Sequence, residues 1–93
     1  MPAISGQKTV TTAGTAEALG SQLINGPLLV KALPDNAGAI AIGNDGANDV
    51  TVSSGLLLAA DEVVVFDFIG SLASVWLDSE NDGEGVAWLA LNV

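Results

Sequence analysis

Glycine recurs at short intervals along this chain, and this spacing limits how long any regular element can be. Eleven glycines separate short runs of aliphatic and β-branched residues. Many short apolar runs bounded by turn residues indicate an all-β domain. The sequence therefore predicts a single small β-sandwich of about eight short antiparallel strands. The predicted strands are Gln7–Thr12, Thr15–Leu19, Leu28–Leu33, Ala39–Gly43, Val50–Ser53, Val63–Phe68, Ala73–Asp78 and Gly85–Leu91.

The segments between these runs contain residue types that are typical of defined turns. The segment Pro34–Gly38 begins with proline, continues with Asp and Asn and ends with glycine, which is typical of a tight turn. The Asp45-Gly46 pair is typical of a type I′ hairpin turn. The chain shows no internal repeat and no linker, and its 93 residues suit one small domain, assigned to residues 7–93.

The first six residues are predicted to form an N-terminal arm outside this domain. The segment Met1–Gly6 precedes the first strand signal and contains Pro2 and a glycine, so it is not expected to join a local core. The apolar side chains of Ala3 and Ile4 would be stabilised by packing on a neighbouring molecule. Both are therefore candidate interface residues.

Some of the predicted strands are apolar on both faces. In Gly85–Leu91, Val86 and Trp88 alternate with Ala87, Leu89 and Leu91, and both sets are apolar. A strand that is apolar on both faces is normally covered on both faces. In so small a sandwich the second cover could be a neighbouring subunit, in a homo-oligomer.

The residue inventory excludes several classes of function. The chain has no His, Cys or Arg, so it cannot build a Ser–His or Cys–His nucleophile pair, a structural zinc site or an arginine phosphate clamp. Its net charge of -9, with Lys8 and Lys31 as the only cations, opposes binding to nucleic acid and to anionic membranes. Acidic residues alone do not predict a glycosidase. The expectation is a protein without enzymatic activity, cofactor, nucleic-acid partner or membrane partner.

The densest chemical feature is an acidic segment near the carboxyl end of the sequence. Asp78, Glu80, Asp82 and Glu84 surround a glycine in a pattern that partly matches a calcium-binding loop. The twelfth position of such a loop would be Leu89, which cannot supply the required carboxylate. These four residues are therefore only weak metal-ligand candidates. The favoured interpretation is a charged hairpin turn that faces water, with no bound metal.

The two tryptophans, Trp76 and Trp88, lie on neighbouring predicted strands. Tryptophans in such positions are candidate core or interface anchors, because each buries a large apolar surface. They could also form a platform on which a sugar ring stacks. The first interpretation is favoured, and both tryptophans are candidate interface residues.

Most of the chain resembles a family of small tailed-bacteriophage virion proteins. The shared features are a TAGTA opening, a turn beginning KALP, a leucine-rich approach to a strand and a GEGV ending. Where that family often has an aromatic residue after the turn, this chain has Ala41. The matching stretches are Thr9–Ala16, Val30–Gly43, Ser54–Leu58, Asp61–Val63, Val75–Asp78 and Asp82–Leu89.

The resemblance implies a jelly-roll-like sandwich that decorates, or cements, the outside of a phage head. It implies a homotrimer bound to the major capsid protein, located on the virion exterior. No signal peptide is evident in the first ten residues, so assembly in the host cytoplasm is expected. One alternative is a tail, collar or fibre-base component. An alternative of another class is a carbohydrate-binding module that uses Trp76 and Trp88.

Overall fold

The computed structural model describes residues 3–44, 50–53, 55–67 and 70–91. Within these ranges eight strands form two antiparallel four-stranded sheets. A single turn of 3-10 helix, Leu72–Ser74, precedes the seventh strand, and no helix in the described ranges is long enough to cross a bilayer. The strands are β1 (Ala3–Thr9), β2 (Glu17–Ala18), β3 (Leu28–Ala32), β4 (Ile40–Gly43), β5 (Leu56–Leu58), β6 (Val63–Phe66), β7 (Trp76–Ser79) and β8 (Gly85–Leu91).

The strands pair in a nested order. The first sheet has the order β1-β8-β3-β6 and the second sheet has the order β2-β7-β4-β5. The first strand therefore pairs with the last, the second with the seventh, the third with the sixth and the fourth with the fifth, and these ladders alternate between the sheets. This is the connectivity of an eight-stranded jelly roll. The predicted all-β, jelly-roll-like sandwich is confirmed.

The core lies between the two sheets and follows from strand alternation. In β3 the side chains of Leu28 and Val30 are fully buried, whereas those of Leu29 and Lys31 are exposed. Trp88 of β8 packs in this core opposite Gly6 of β1, where an added Cβ would lie 3.1 Å from the indole ring. The other core residues are Val10, Leu19, Ile24, Ala32, Ile40, Ile42, Leu58, Leu72, Val75, Leu77, Val86 and Ala90.

The arm prediction is wrong for residues 3–6. Ala3–Gly6 forms the first half of β1, and Ala3 lies opposite Leu91 in the ladder with β8. Ile4 packs against the core instead of against a neighbouring molecule. Gly6, one of the features that indicated an arm, lies within the continuous strand β1 and provides space there for the ring of Trp88. Met1 and Pro2 lie outside the described residues.

Two other strand predictions need correction. Val50–Ser53 is not a strand, because the Gly55 amide donates to the Thr51 carbonyl at 2.8 Å and closes a turn there. The strand of this region is Leu56–Leu58, whose three leucines show no alternation that would have indicated it. Thr15–Leu19 contains only the two-residue strand β2. The predicted hairpin turn at Asp45-Gly46 lies outside the described residues.

Candidate interaction surface

The outer face of the first sheet, meaning the side chains of β1, β8, β3 and β6 that point away from the core, is uncovered. It is mainly apolar on β8, β3 and β6 and polar at Ser5, Gln7 and Thr9 of β1. Five large aliphatic side chains on it are between 39% and 56% exposed. They lie on three adjacent strands and alternate with core residues, as the strand period requires. These residues are Leu29, Val63, Val65, Leu89 and Leu91.

The strand register joins these side chains into one patch. Leu29 of β3 lies opposite Leu89 of β8 on one side and opposite Val65 of β6 on the other. Directly opposed side chains in a sheet have their Cβ atoms about 5 Å apart, which is contact distance for aliphatic groups. The row Leu89–Leu29–Val65 therefore runs unbroken across three strands. A continuous exposed apolar patch of this kind marks an interaction site more often than isolated exposed leucines do.

The same face carries almost no charge, although the chain is strongly acidic. The four strands of the first sheet contain two lysines and no carboxylate. Lys31 is on the outer face, where its ammonium group lies 3.5 Å from an Asp61 carboxylate oxygen. Lys8 is turned toward β2 and pairs with Glu17 at 2.8 Å. The acidic residues of the described part of the chain thus lie in β2, β7 and the loops, and the outer face is close to neutral.

The outer side of the second sheet is different, because the chain covers part of it. Ala41 and Asp78 lie opposite each other in the β4–β7 ladder and alternate with core residues, yet they are 0% and 2% exposed. A shallow depression beside them is lined by Gly14 and Val52, which come from two separate loops. Of the eight exposed large apolar side chains in the described residues, five lie on the outer face of the first sheet, and the other three are Leu23, Leu56 and Leu57.

The acidic segment anchors one loop at this covered side. Asp78 is buried, and its Oδ1 atom accepts the amides of Gly14 at 2.9 Å and Ser79 at 2.8 Å. Asp82 accepts the neighbouring amide of Ala13 at 2.8 Å. These two carboxylates hold the loop that connects β1 and β2 against the end of β7.

The other two carboxylates of the segment anchor a second loop. Glu84 accepts the amides of Ala37 at 2.6 Å and Gly38 at 3.1 Å. Glu80 accepts the amide of Ala39 at 2.9 Å. The loop between β3 and β4 is thereby fixed to the segment that leads into β8.

The structure corrects the hairpin prediction, although residues 80–83 are exposed to water as expected. The segment between β7 and β8 crosses from the second sheet to the first, so the two strands that it connects are not hairpin partners. Each carboxylate is used as an acceptor for backbone amides of the chain itself. Among the described residues no three acidic groups converge as a metal-ligand set, and the weak candidates Asp78, Glu80, Asp82 and Glu84 point toward separate amides.

Hydrogen bonding lowers the pKa of two glutamates. The Ala37 amide, helped by the Asn81 side chain and the Gly38 amide, lowers the pKa of Glu84 below its ordinary value of 4.5, against a smaller opposing effect of desolvation. Lys8, followed by the Thr11 amide, lowers the pKa of Glu17 in the same way. In both cases the structure favours the ionised carboxylate.

These shifts predict a loss of stability in acid. A group whose folded pKa lies below its unfolded pKa stabilises the protein above the unfolded value of 4.5, and this contribution is lost as the pH falls through the folded pKa. Urea unfolding between pH 7 and pH 3 should therefore show stability decreasing below about pH 4.5. Glu84→Gln should flatten this decrease, and Asp35→Asn serves as the control for loss of one surface charge. An equal acid dependence in wild type and Glu84→Gln would contradict the role of Glu84.

The structure separates the two tryptophans. Trp88 is a core residue of the first sheet, so its candidacy as an interface anchor is wrong. Trp76 lies in the second sheet, is partly exposed and donates its Nε1 hydrogen to the Ala73 carbonyl at 3.0 Å. No paired aromatic platform forms from these two residues. Of the other interface candidates, Ala3 is exposed at the edge of the outer face, beside Leu91.

The sequence pattern predicted some of the exposed apolar residues of the outer face but not all of them. The two apolar sets of β8 indicated that Leu89 and Leu91 would need a cover. The run Val63–Phe66 is apolar at every position, which is consistent with its exposed Val63 and Val65. Leu29 was missed because the apolar pair Leu28 and Leu29 does not show which side chain points inward.

Comparison with family models, with characterised proteins and with solved structures finds no match to this chain.

Proposed function

We propose that this chain is a non-enzymatic structural protein of a phage particle, a decoration or cement protein that binds the outer surface of the head. The observation that carries the proposal is the apolar, carboxylate-free outer face of an otherwise acidic sandwich. Such a surface is suited to being covered by protein, as expected of a subunit that assembles with other subunits on a particle. The sequence resemblance to small virion proteins supplies the phage context, and the jelly-roll fold agrees with it.

The proposed mechanism is stabilisation by linkage. A protein that binds the assembled shell, but not its separated subunits, shifts the equilibrium toward the shell by mass action. Many copies would bridge neighbouring major capsid proteins, with the trimer as the proposed oligomer. An acidic protein suits the exterior of the head, because it is not in contact with the packaged nucleic acid and does not need to neutralise phosphate charge.

The two alternatives differ in how they fit the structure. A carbohydrate-binding module would need a paired platform of Trp76 and Trp88, and the burial of Trp88 removes the basis for it. A tail, collar or fibre-base protein could present the same apolar face as a head protein. Position and copy number on the particle separate these two structural roles.

The proposal is tested on particles produced from the genome that encodes the chain. Purified particles are labelled with an antibody to this chain for electron microscopy, and the copy number per particle is measured by quantitative mass spectrometry against the major capsid protein. Label distributed over the head, at a copy number close to that of the capsomers, is the expected result. A few copies confined to the tail would support the alternative role, and absence from the particles would overturn the proposal.

A further inference from the structure

We infer that the outer face of the first sheet, centred on Leu29, Leu89 and Val65, is the contact between copies of this chain. The inference rests on the homo-oligomer in the proposed function and names the surface that forms it. The occupant of the face is a second copy, packed with its own outer face toward the same contact.

The exposed side chains of the face leave apolar area that a covering molecule could bury. Leu29, Leu89 and Val65 are 39%, 43% and 56% exposed, whereas residues that alternate with them, such as Val30 and Ala90, are fully buried. Burying an exposed aliphatic side chain contributes about 25 cal/mol for each Å² removed from water. A cover over this row would therefore be favourable without any change in the fold.

The absence of carboxylates from the outer face favours a second copy of this acidic chain as the molecule that covers it. Two molecules of net charge -9 repel each other, and this repulsion is smallest where the surfaces that meet carry no like charge and the remaining charges are separated and screened by salt. The four strands of the first sheet contain no carboxylate, and the one cation on the outer face, Lys31, already has Asp61 as its partner. A basic partner protein would instead be attracted to the acidic segment and loops on other parts of the molecule.

The size of the face is compatible with a stable contact. Specific interfaces bury about 800 Å² on each partner. The chain exposes 4763 Å² in total, so such an interface would use about one-sixth of its surface. One broad side of a two-layer sandwich supplies that fraction. Identical faces turned toward a common threefold axis form a closed symmetric contact, which suits the trimer of the proposed function.

The test compares two matched leucine variants in solution. Leu89→Glu places a carboxylate at the centre of the face, between Ser5 and Leu29 in the register. Leu57→Glu is the control, because Leu57 has similar exposure but lies on β5 of the second sheet. Molar mass is measured by analytical ultracentrifugation over a range of protein concentrations. Circular dichroism checks that each variant is folded, and Leu89→Ala is a milder second variant.

The wild type and Leu57→Glu should sediment as the same oligomer. Leu89→Glu should weaken association on the order of 100-fold or more, because it buries an unpaired charge, and Leu89→Ala should weaken it less. A monomeric wild type would overturn the inference, as would equal weakening by Leu57→Glu.

Binding of the same variants to particles lacking this chain separates this inference from the proposed function. A monomeric wild type that binds particles through Leu89 would mean that the shell protein covers the face, so the inference would fail while the proposed function stood. An oligomer that depends on Leu89 but does not bind particles would support the inference and count against the proposed function.

Discussion

Replacing Asp78 with Ala should lower the free energy of unfolding by about 3 kcal/mol, because it removes a buried acceptor that serves two backbone amides. The carboxylate is 2% exposed, and its Oδ1 atom accepts from Gly14 and Ser79. Without it, both amides lose their partner, and the β1–β2 loop loses its anchor on β7. For a domain of this size the melting temperature should fall by roughly 12–24 °C.

Two further variants show whether the hydrogen bonds are the cause. Asp78→Asn keeps an oxygen that can occupy the Oδ1 position, so the loss should be about 1 kcal/mol. Asp82→Ala removes an exposed acceptor from the adjacent amide of Ala13, where water can replace it, and should cost less than about 1 kcal/mol. Equal losses for Asp78→Asn and Asp78→Ala in urea unfolding would show that charge, and not amide pairing, is what the site requires.

Gly85→Ala should be destabilising by about 3 kcal/mol, at the upper end of the range for overpacking. A Cβ at Gly85 would overlap the Lys8 carbonyl oxygen and would lie 2.6 Å from the Thr9 Cα, so two backbones would have to separate. Hydrogen bonds from the loop after β3 also fix the backbone of Gly85 in place. The Leu33 amide and the Asn36 side-chain amide both donate to the Gly85 carbonyl, at 3.0 Å and 2.8 Å.

Gly6→Ala is the matched control for this prediction. Its Cβ would meet the side chain of Trp88 at 3.1 Å, and a side chain can move by a few tenths of an ångström more easily than a paired backbone. We therefore expect a loss of about 1 kcal/mol for Gly6→Ala. Thermal unfolding of both variants measures the difference. A Gly85→Ala protein as stable as Gly6→Ala would contradict the close approach of β1 to β8.

The strands that were predicted accurately are those in which apolar residues alternate between the two faces or in which turn residues mark both ends. Gly85–Leu91 was predicted with the ends that the structure has, and Leu28–Leu33 and Ala39–Gly43 were each placed to within one residue. In these strands local sequence and tertiary burial favour the same conformation. Leu56–Leu58 was missed because its pairing with β4, and not any local pattern, determines that it is a strand.

The role of the acidic segment could not be predicted for a different reason. The amide bound by Asp82 is 69 residues away in the sequence, and the amide bound by Glu84 is 47 residues away. Backbone amides have no sequence signature. A carboxylate that accepts hydrogen bonds from a distant loop therefore cannot be distinguished in the sequence from one that only faces water. The outer face was only partly predictable, because a strand pattern does not show whether a second sheet or another molecule provides its cover.

The nested strand order also has a consequence for how the chain folds. Among the eight described strands β1 is synthesised before the others, and its ladder partner among them is β8, so the first sheet cannot close until residue 91 has been made. Closing a long loop costs more entropy than closing a short one, and each inner ladder shortens the loop that the next must close. The ladders should therefore form from β4–β5 outward, on the millisecond-to-second timescale typical of high contact order. Until then β1, a seven-residue strand with apolar Ala3 and Ile4 at one end, is open to pairing with other chains, so the newly made protein is most prone to aggregation before β1 and β8 pair.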